Sequence, residues 1–181
     1  MLGMFFAEGF EEIEAVTTVD LLRRAGIDLK MISIGQDTKV TGAHGIPVIT
    51  DEVMAKTDFG ALSGIILPGG APGFKNLEAS SPLMAKVEAF SKESGKLVAA
   101  ICGAPSLLGH RGLLDGRKAT IFPGMEGELG KASPVKDRAV TDGEFITSRG
   151  AGTAVDFALE IVKYYKGGDA AEKLAAGIVY R

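Results

Sequence analysis

Cys102 is the single cysteine among 181 residues and the side chain with the widest chemical range in this sequence. It directly follows the apolar run Leu97-Val98-Ala99-Ala100-Ile101 and precedes Gly103-Ala104-Pro105-Ser106. That context reads as a buried strand entering a tight turn, with Pro105 in the first turn of a helix. A thiol at a helix N-terminus meets partial positive charge and free backbone N–H groups. Both lower a thiol pKa and hold an oxyanion, as a nucleophilic cysteine requires. The carboxyl ends of central strands are also where ligands bind in open α/β sheets. By residue type alone, a lone cysteine reads equally as a small buried hydrophobe. Both readings stand at this level.

Three further groups bear on that thiol. Leu67-Pro68-Gly69-Gly70-Ala71-Pro72-Gly73 follows a short apolar strand, and its successive glycines let backbone N–H groups converge on one point, as an oxyanion hole does. No Gly-Lys-Ser/Thr follows, so it is not a phosphate loop. Glu8, Glu11, Glu12 and Glu14 surround the start of the first helix, where carboxylates ordinarily complement the helix dipole. Glu14 sits beside Ile13 and Val16 and can turn inward, and a carboxyl held against a thiol would be protonated and available for proton transfer. Neither histidine pairs with Cys102 by local spacing: His110 lies two helical turns downstream, and His44 falls in an irregular segment. Gly150-Ala151-Gly152-Thr153 reads as a glycine-rich cap to the last long helix.

The elements that must position these groups alternate. Strand-type runs occur at 2–6, 29–34, 64–67, 97–101, 119–122 and 145–147, with helical patterns between most of them. This predicts a mostly parallel central sheet with helices on both faces. Ile13, Val16, Val19 and Leu22 mark one helix face, with Arg23-Arg24 in the last turn before Gly26. A second helix starts at Ser80 or Ser81, with Pro82 in its first turn, and runs to about Ser94. Two more are expected over 153–165 and 169–176. The segment 40–48, with Gly42, Gly45 and Pro47, reads as an irregular hairpin at an edge or interface.

Composition bounds the partners. The chain carries 46% hydrophobic and 24% charged residues and a net charge of −3, which predicts one compact cytoplasmic-type domain over 1–181 and no nucleic-acid footprint. The apolar N-terminus is interrupted by Glu8 and has no basic residue before it, so it reads as a buried strand and not as a signal or membrane span. One cysteine makes no internal disulfide, and with two histidines it makes no zinc site without carboxylates at unrelated spacings.

Four segments together, Ala7-Glu8-Gly9-Phe10-Glu11-Glu12-Ile13-Glu14, Leu67-Pro68-Gly69-Gly70, Ala99-Ala100-Ile101-Cys102-Gly103-Ala104-Pro105 and Thr147-Ser148-Arg149-Gly150-Ala151-Gly152-Thr153, resemble the signatures of the DJ-1 branch of the DJ-1/PfpI (ThiJ) superfamily. Their order and spacing cover nearly the whole chain. The resemblance implies a flavodoxin-like α/β sandwich, a homodimer, and Cys102 as a nucleophile on an elbow turn. It further implies that Glu14 is the thiol's protonated partner, that Gly70 and Gly103 are backbone donors, and that Gly69, Ala71, Phe122 and His44 are pocket residues. It implies glyoxalase III or deglycase activity on methylglyoxal, glyoxal or their adducts, without a metal or organic cofactor, or alternatively oxidant sensing with chaperone-like protection. Two departures matter. Gly103 and Phe122 stand where many members carry histidine, which leaves proton transfer to Glu14 or water, and His44 stands where close relatives often have arginine.

Overall fold

The computed structural model describes residues 1–180. Strand β1 (Leu2–Phe6) leads to helix α1 (Glu12–Arg24) and β2 (Leu29–Ser33). A hairpin of β3 (Lys39–Thr41) and β4 (Pro47–Ile49) stands outside the main sheet, followed by the short β5 (Glu52–Val53). Next come β6 (Gly64–Leu67), α2 (Gly73–Ala79), α3 (Ser81–Phe90), β7 (Leu97–Ile101) and the five-residue α4 (Pro105–Gly109). β8 (Lys118–Ala119) pairs with β9 (Ser133–Pro134), and β10 (Ala139–Asp142), β11 (Phe145–Ser148), α5 (Ala154–Lys166) and α6 (Gly168–Gly177) follow.

The main sheet runs β10-β11-β7-β6-β1-β2-β5, parallel throughout except for β10 at one edge. Strand periodicity decides the two cores. Leu2, Met4 and Phe6 of β1, with Leu97, Ala99 and Ile101 of β7, face α1, α5 and α6. Phe5, Val98 and Ala100 face the opposite side, against α3 and α4. A strand covered on both faces needs the unbroken apolar run seen in β7. Burial of each large side chain contributes roughly 1.5–3 kcal/mol, more than a helix cap does. Helix α1 is nonetheless well capped: the Glu11 carboxylate accepts the Glu14 N–H at 2.7 Å, and Arg23 and Arg24 close its last turn.

Four expectations need correction. No strand covers 119–122: only Lys118–Ala119 is extended, in a separate ribbon, because the Thr120 N–H turns to Thr147 Oγ1 (2.9 Å) and the Phe122 N–H to the Cys102 carbonyl (2.9 Å). Helix α3 stops at Phe90 and not near Ser94, since Ser91-Lys92-Glu93-Ser94 offers the sheet no apolar side chain. The glycine loop after β6 runs into an additional helix, α2. Strands β5 and β10 are edge strands that the apolar pattern did not mark, being short or half-exposed.

Candidate active site

The site sits where the winding of the sheet reverses. β1 and β6 are neighbours, yet the chain passes outward through β2 and β5 before returning to β6, so a crevice opens at their carboxyl ends. Into it lead the start of α1, the Gly69–Gly70 turn after β6, and Cys102 after β7. Backbone bonds bind these segments together: Glu11 N–H to the Gly69 carbonyl (3.0 Å) and Gly73 N–H to the Gly9 carbonyl (3.0 Å). Gly70 has φ +95°, and a Cβ there would lie 2.3 Å from the Glu11 nitrogen, so no other residue fits this crossing.

Cys102 has φ +65°, a left-handed conformation that costs a residue with a Cβ roughly 1–2 kcal/mol. Its N–H donates to the Ser148 carbonyl at 3.0 Å, and its own carbonyl accepts from Phe122 N–H at 2.9 Å. Two neighbouring segments therefore hold the strained elbow and aim the side chain out of the sheet edge. The thiol is only partly buried.

Glu14 is fully buried, and its Oε2 accepts the Gly69 N–H at 2.8 Å. Apart from the Cys102 thiol, its Oε1 has no hydrogen-bond partner among the described residues. A Cβ on Gly69 would lie 2.7 Å from Glu14 Oε2, 2.5 Å from Cys102 Cβ and 3.1 Å from Sγ, so carboxyl and thiol converge on the same small space. Only a glycine leaves that space free.

The electrostatics revise the expectation of an acidic thiol. Burial, then the negative charge and hydrogen bonding of Glu14, push Cys102 up to about 12, while the Gly103 and Gly70 N–H groups pull the other way. Helix α4 begins only at Pro105 and is five residues long, so a helix terminus supplies little of the field that a longer helix would. Burial in turn raises Glu14 to about 7, assisted by the Glu11 charge and opposed by Gly69 and Cys102. At neutral pH the sulfur therefore keeps its proton, and Glu14 is poised to take it.

The structure thus brings Cys102, Glu14, Gly69, Gly70 and Gly103 together. Ala71 is exposed in the loop beyond Gly70. The Phe122 ring and the thiol have Gly150 as a common neighbour: a Cβ there would lie 3.5 Å from the ring and 3.9 Å from Sγ. His44 is engaged elsewhere, its N–H and Nδ1 meeting the two oxygens of Glu12 at 2.6 and 2.7 Å. Burial pushes the Glu12 carboxyl up, but these His44 bonds outweigh it and hold the group below its ordinary range, and the same contact raises His44. Glu11, Glu12 and His44 have the spacing of metal ligands, but their oxygens already serve the helix cap and this clasp. His110 likewise lies apart, bridging Glu78 and Glu128 at 2.8 Å each.

Sequence reasoning missed Phe74, whose ring packs against Gly103, and Ser148, which anchors the elbow. Phe74 belongs to the unanticipated α2. Ser148 lies in a segment whose glycines drew attention to the following turn, where Thr153 accepts N–H bonds from Arg149 and Gly150 as a cap does.

The profile of the DJ-1/PfpI family matches residues 2–164. The chain is 37% identical over 177 residues to Protein DJ-1 homolog B of Arabidopsis thaliana, covering 97% of this chain and 40% of that protein. With a second plant relative, DJ-1 homolog A, the share is 45%, so the chain spans less than half the length of either. It is 33% identical over 178 residues to Protein dj-1beta of Drosophila melanogaster, covering 97% and 95%, and 32% identical over 163 residues to a deglycase of Pyrococcus horikoshii, covering 88% and 96%. A solved structure of Toxoplasma gondii DJ-1, in an oxidized form, superposes with a TM-score of 0.93 at 31% identity, covering 98% of this chain and 97% of that one.

Proposed function

Because the chain belongs to the DJ-1/PfpI family, we propose that it is a cysteine-dependent enzyme acting on small 2-oxoaldehydes such as methylglyoxal and glyoxal, or on the early adducts they form. The observation that carries this reading is the fully buried Glu14 carboxyl converging with the Cys102 thiol and hydrogen-bonding to it, with the Gly70 and Gly103 N–H groups also facing the sulfur.

Glu14, as carboxylate, removes the thiol proton as sulfur bonds to the aldehyde carbon, and the carbonyl π pair moves to oxygen. The Gly70 and Gly103 N–H groups, which face the sulfur, hold that oxyanion. Glu14 gives the thiol proton to the oxyanion, completing the hemithioacetal, and as carboxylate again removes the carbon-bound proton to form an enediol; it returns this proton to the neighbouring carbon while the hydroxyl proton passes between the two oxygens, which leaves a 2-hydroxyacyl thioester. Water cleaves this to the hydroxy acid and restores the thiol, so the net change is addition of one water to the dicarbonyl.

Lactate formation from methylglyoxal tests this. Cys102→Ser and Glu14→Gln should each lower kcat/KM at least a hundredfold, and the wild-type rate should rise with pH through about 7 as Glu14 loses its proton. Wild-type turnover in both variants would overturn the mechanism.

A second reading has its own support. The thiol is partly exposed, and a relative at 31% identity has been solved in an oxidized form. In that reading two equivalents of peroxide convert Cys102 to sulfinate, releasing two waters, with protonated Glu14 donating to the new oxygens. Because thiolate is the reactive species, the raised thiol pKa makes this the slower chemistry at neutral pH. Selective addition of two oxygens at stoichiometric peroxide, with altered client protection, would favour it over turnover.

The proposed partner in either reading is a second copy of the chain. Ile13 and Val16 on α1 and Ile46 and Ile49 on the hairpin are each exposed over about half their surface or more, on two elements that the Glu12–His44 clasp holds together. Apolar side chains at the helix start and on an outlying hairpin suit a self-complementary interface. None of the described helices is long and apolar enough to cross a membrane.

A further inference from the structure

Phe122 is 48% exposed, unusual for so large an apolar ring, and its position is not left to chance. The Phe122 N–H is tied to the carbonyl of Cys102 itself at 2.9 Å, and its ring borders Gly150 on the side where Sγ also lies. The Phe74 ring packs against Gly103, whose N–H faces the sulfur. A Cβ there would meet three ring carbons at 2.9 to 3.1 Å. Two aromatic rings carried by different segments thus stand near Cys102, one against the residue that follows it and one against the Gly150 that Sγ also approaches.

The charged groups nearby are turned to other work. Glu14 is buried beneath the thiol, His44 is held by Glu12, and the Arg149 guanidinium donates to the Lys136 carbonyl at 3.0 Å. The two rings are thus apolar surface beside the thiol, and the charged groups just named are each already engaged. In a 2-oxoaldehyde attacked at its aldehyde carbon, the remaining substituent extends away from sulfur towards these rings. Hydrogen, as in glyoxal, leaves the rings wet, whereas an aryl group covers them and gains edge or face contacts with them.

We propose that Phe122 and Phe74 form an aromatic collar that selects aryl-substituted 2-oxoaldehydes over glyoxal. This rests on the reading of Cys102 as a nucleophile towards dicarbonyls, and names the class of dicarbonyl that the site prefers. Phe122 is the specificity-determining residue, since its ring is held beside the nucleophile yet remains open to solvent.

Two measurements on the intact protein test it. The first is kcat/KM for phenylglyoxal and glyoxal, read as mandelate and glycolate, in wild type, Phe122→Ala, Phe122→Leu and Phe74→Leu. The phenylglyoxal-to-glyoxal ratio should fall roughly tenfold in the Phe122 variants, chiefly through KM for phenylglyoxal, the size expected for losing an aromatic contact and its apolar burial. Phe122→Leu keeps an apolar side chain at this exposed position, and so separates loss of the ring from loss of the fold. A ratio unchanged within twofold in all three variants, with turnover intact, would overturn the collar and leave the enzymatic reading standing.

The second measurement needs no turnover: protection of Cys102 from iodoacetamide by benzaldehyde compared with acetaldehyde. Preferential protection by benzaldehyde that disappears in Phe122→Ala supports the collar even if no dicarbonyl is turned over, an outcome that would defeat only the enzymatic reading. Equal protection by the two aldehydes would count against the collar directly.

Discussion

Replacing Glu14 by glutamine keeps the shape of a buried side chain and removes its titration. In the folded protein, burial first and then the charge of Glu11 raise this carboxyl from 4.5 to about 7. The native state therefore binds more protons than the unfolded chain throughout that interval. Its contribution to stability is fully present below about pH 4.5 and is lost as pH rises through about 7. At about 1.36 kcal/mol per pH unit, the loss amounts to roughly 3 kcal/mol, or about 6–12 °C in Tm for a chain of this length. Urea and thermal unfolding of wild type and Glu14→Gln between pH 4.5 and 8.5 read it directly. The variant should gain on wild type by roughly 3 kcal/mol across that range. His44 and His110 are also raised by their carboxylate neighbours and lose stabilisation as pH climbs, but they do so in both proteins and drop out of the difference. Cys102 ionises above this range. A difference between the two proteins that stays flat with pH would refute the assignment of a burial-raised carboxyl at position 14, and with it the general-base role.

Two other perturbations report on neighbouring parts of the argument. Gly69→Ala places a Cβ 2.5 Å from Cys102 Cβ and 2.7 Å from Glu14 Oε2; it should cost about 1–3 kcal/mol in urea unfolding and at least about a hundredfold in methylglyoxal turnover, and wild-type kinetics in a folded variant would contradict the convergence described. Val16→Asp combined with Ile49→Asp charges the exposed face of α1 and the hairpin, and should convert a dimer to a monomer in sedimentation at micromolar concentration; a wild-type chain that is already monomeric there would rule out self-association through this face.

Much of the fold is legible in the residues because its signals are local. An uninterrupted apolar run such as Leu97–Ile101 has to be covered on both sides, and the apolar spacing and cap of Glu12–Arg24 announce a helix, although Ile13 and Val16, read as part of its buried face with Val19 and Leu22, are exposed. Signals failed where a segment's conformation is settled by distant partners. Residues 120–122 have the composition of a strand, but their N–H groups are claimed by Thr147 and Cys102, and edge strands such as Glu52–Val53 are too short to carry a period. Of the candidate site, residue types pointed to Cys102, Glu14 and the paired glycines. Phe74 was hidden in a helix that no periodicity marked, and the engagement of His44 with Glu12 depends on a hairpin folding back over α1.

The order of residues supplies the inventory: one thiol after a doubly covered strand, a glycine turn after another, and carboxylates at the first helix. Their electrical state belongs to the folded molecule. A terminal helix field acts to acidify a thiol at this position, but the following helix is short and starts late, and burial beside Glu14 raises the proton affinity of both groups. Desolvation and charge coupling depend on which atoms exclude water and how closely two groups approach, and here those distances are set by segments some 55 to 90 residues apart in the chain. The thiol at the elbow therefore keeps its proton beside a carboxyl whose own proton affinity is raised.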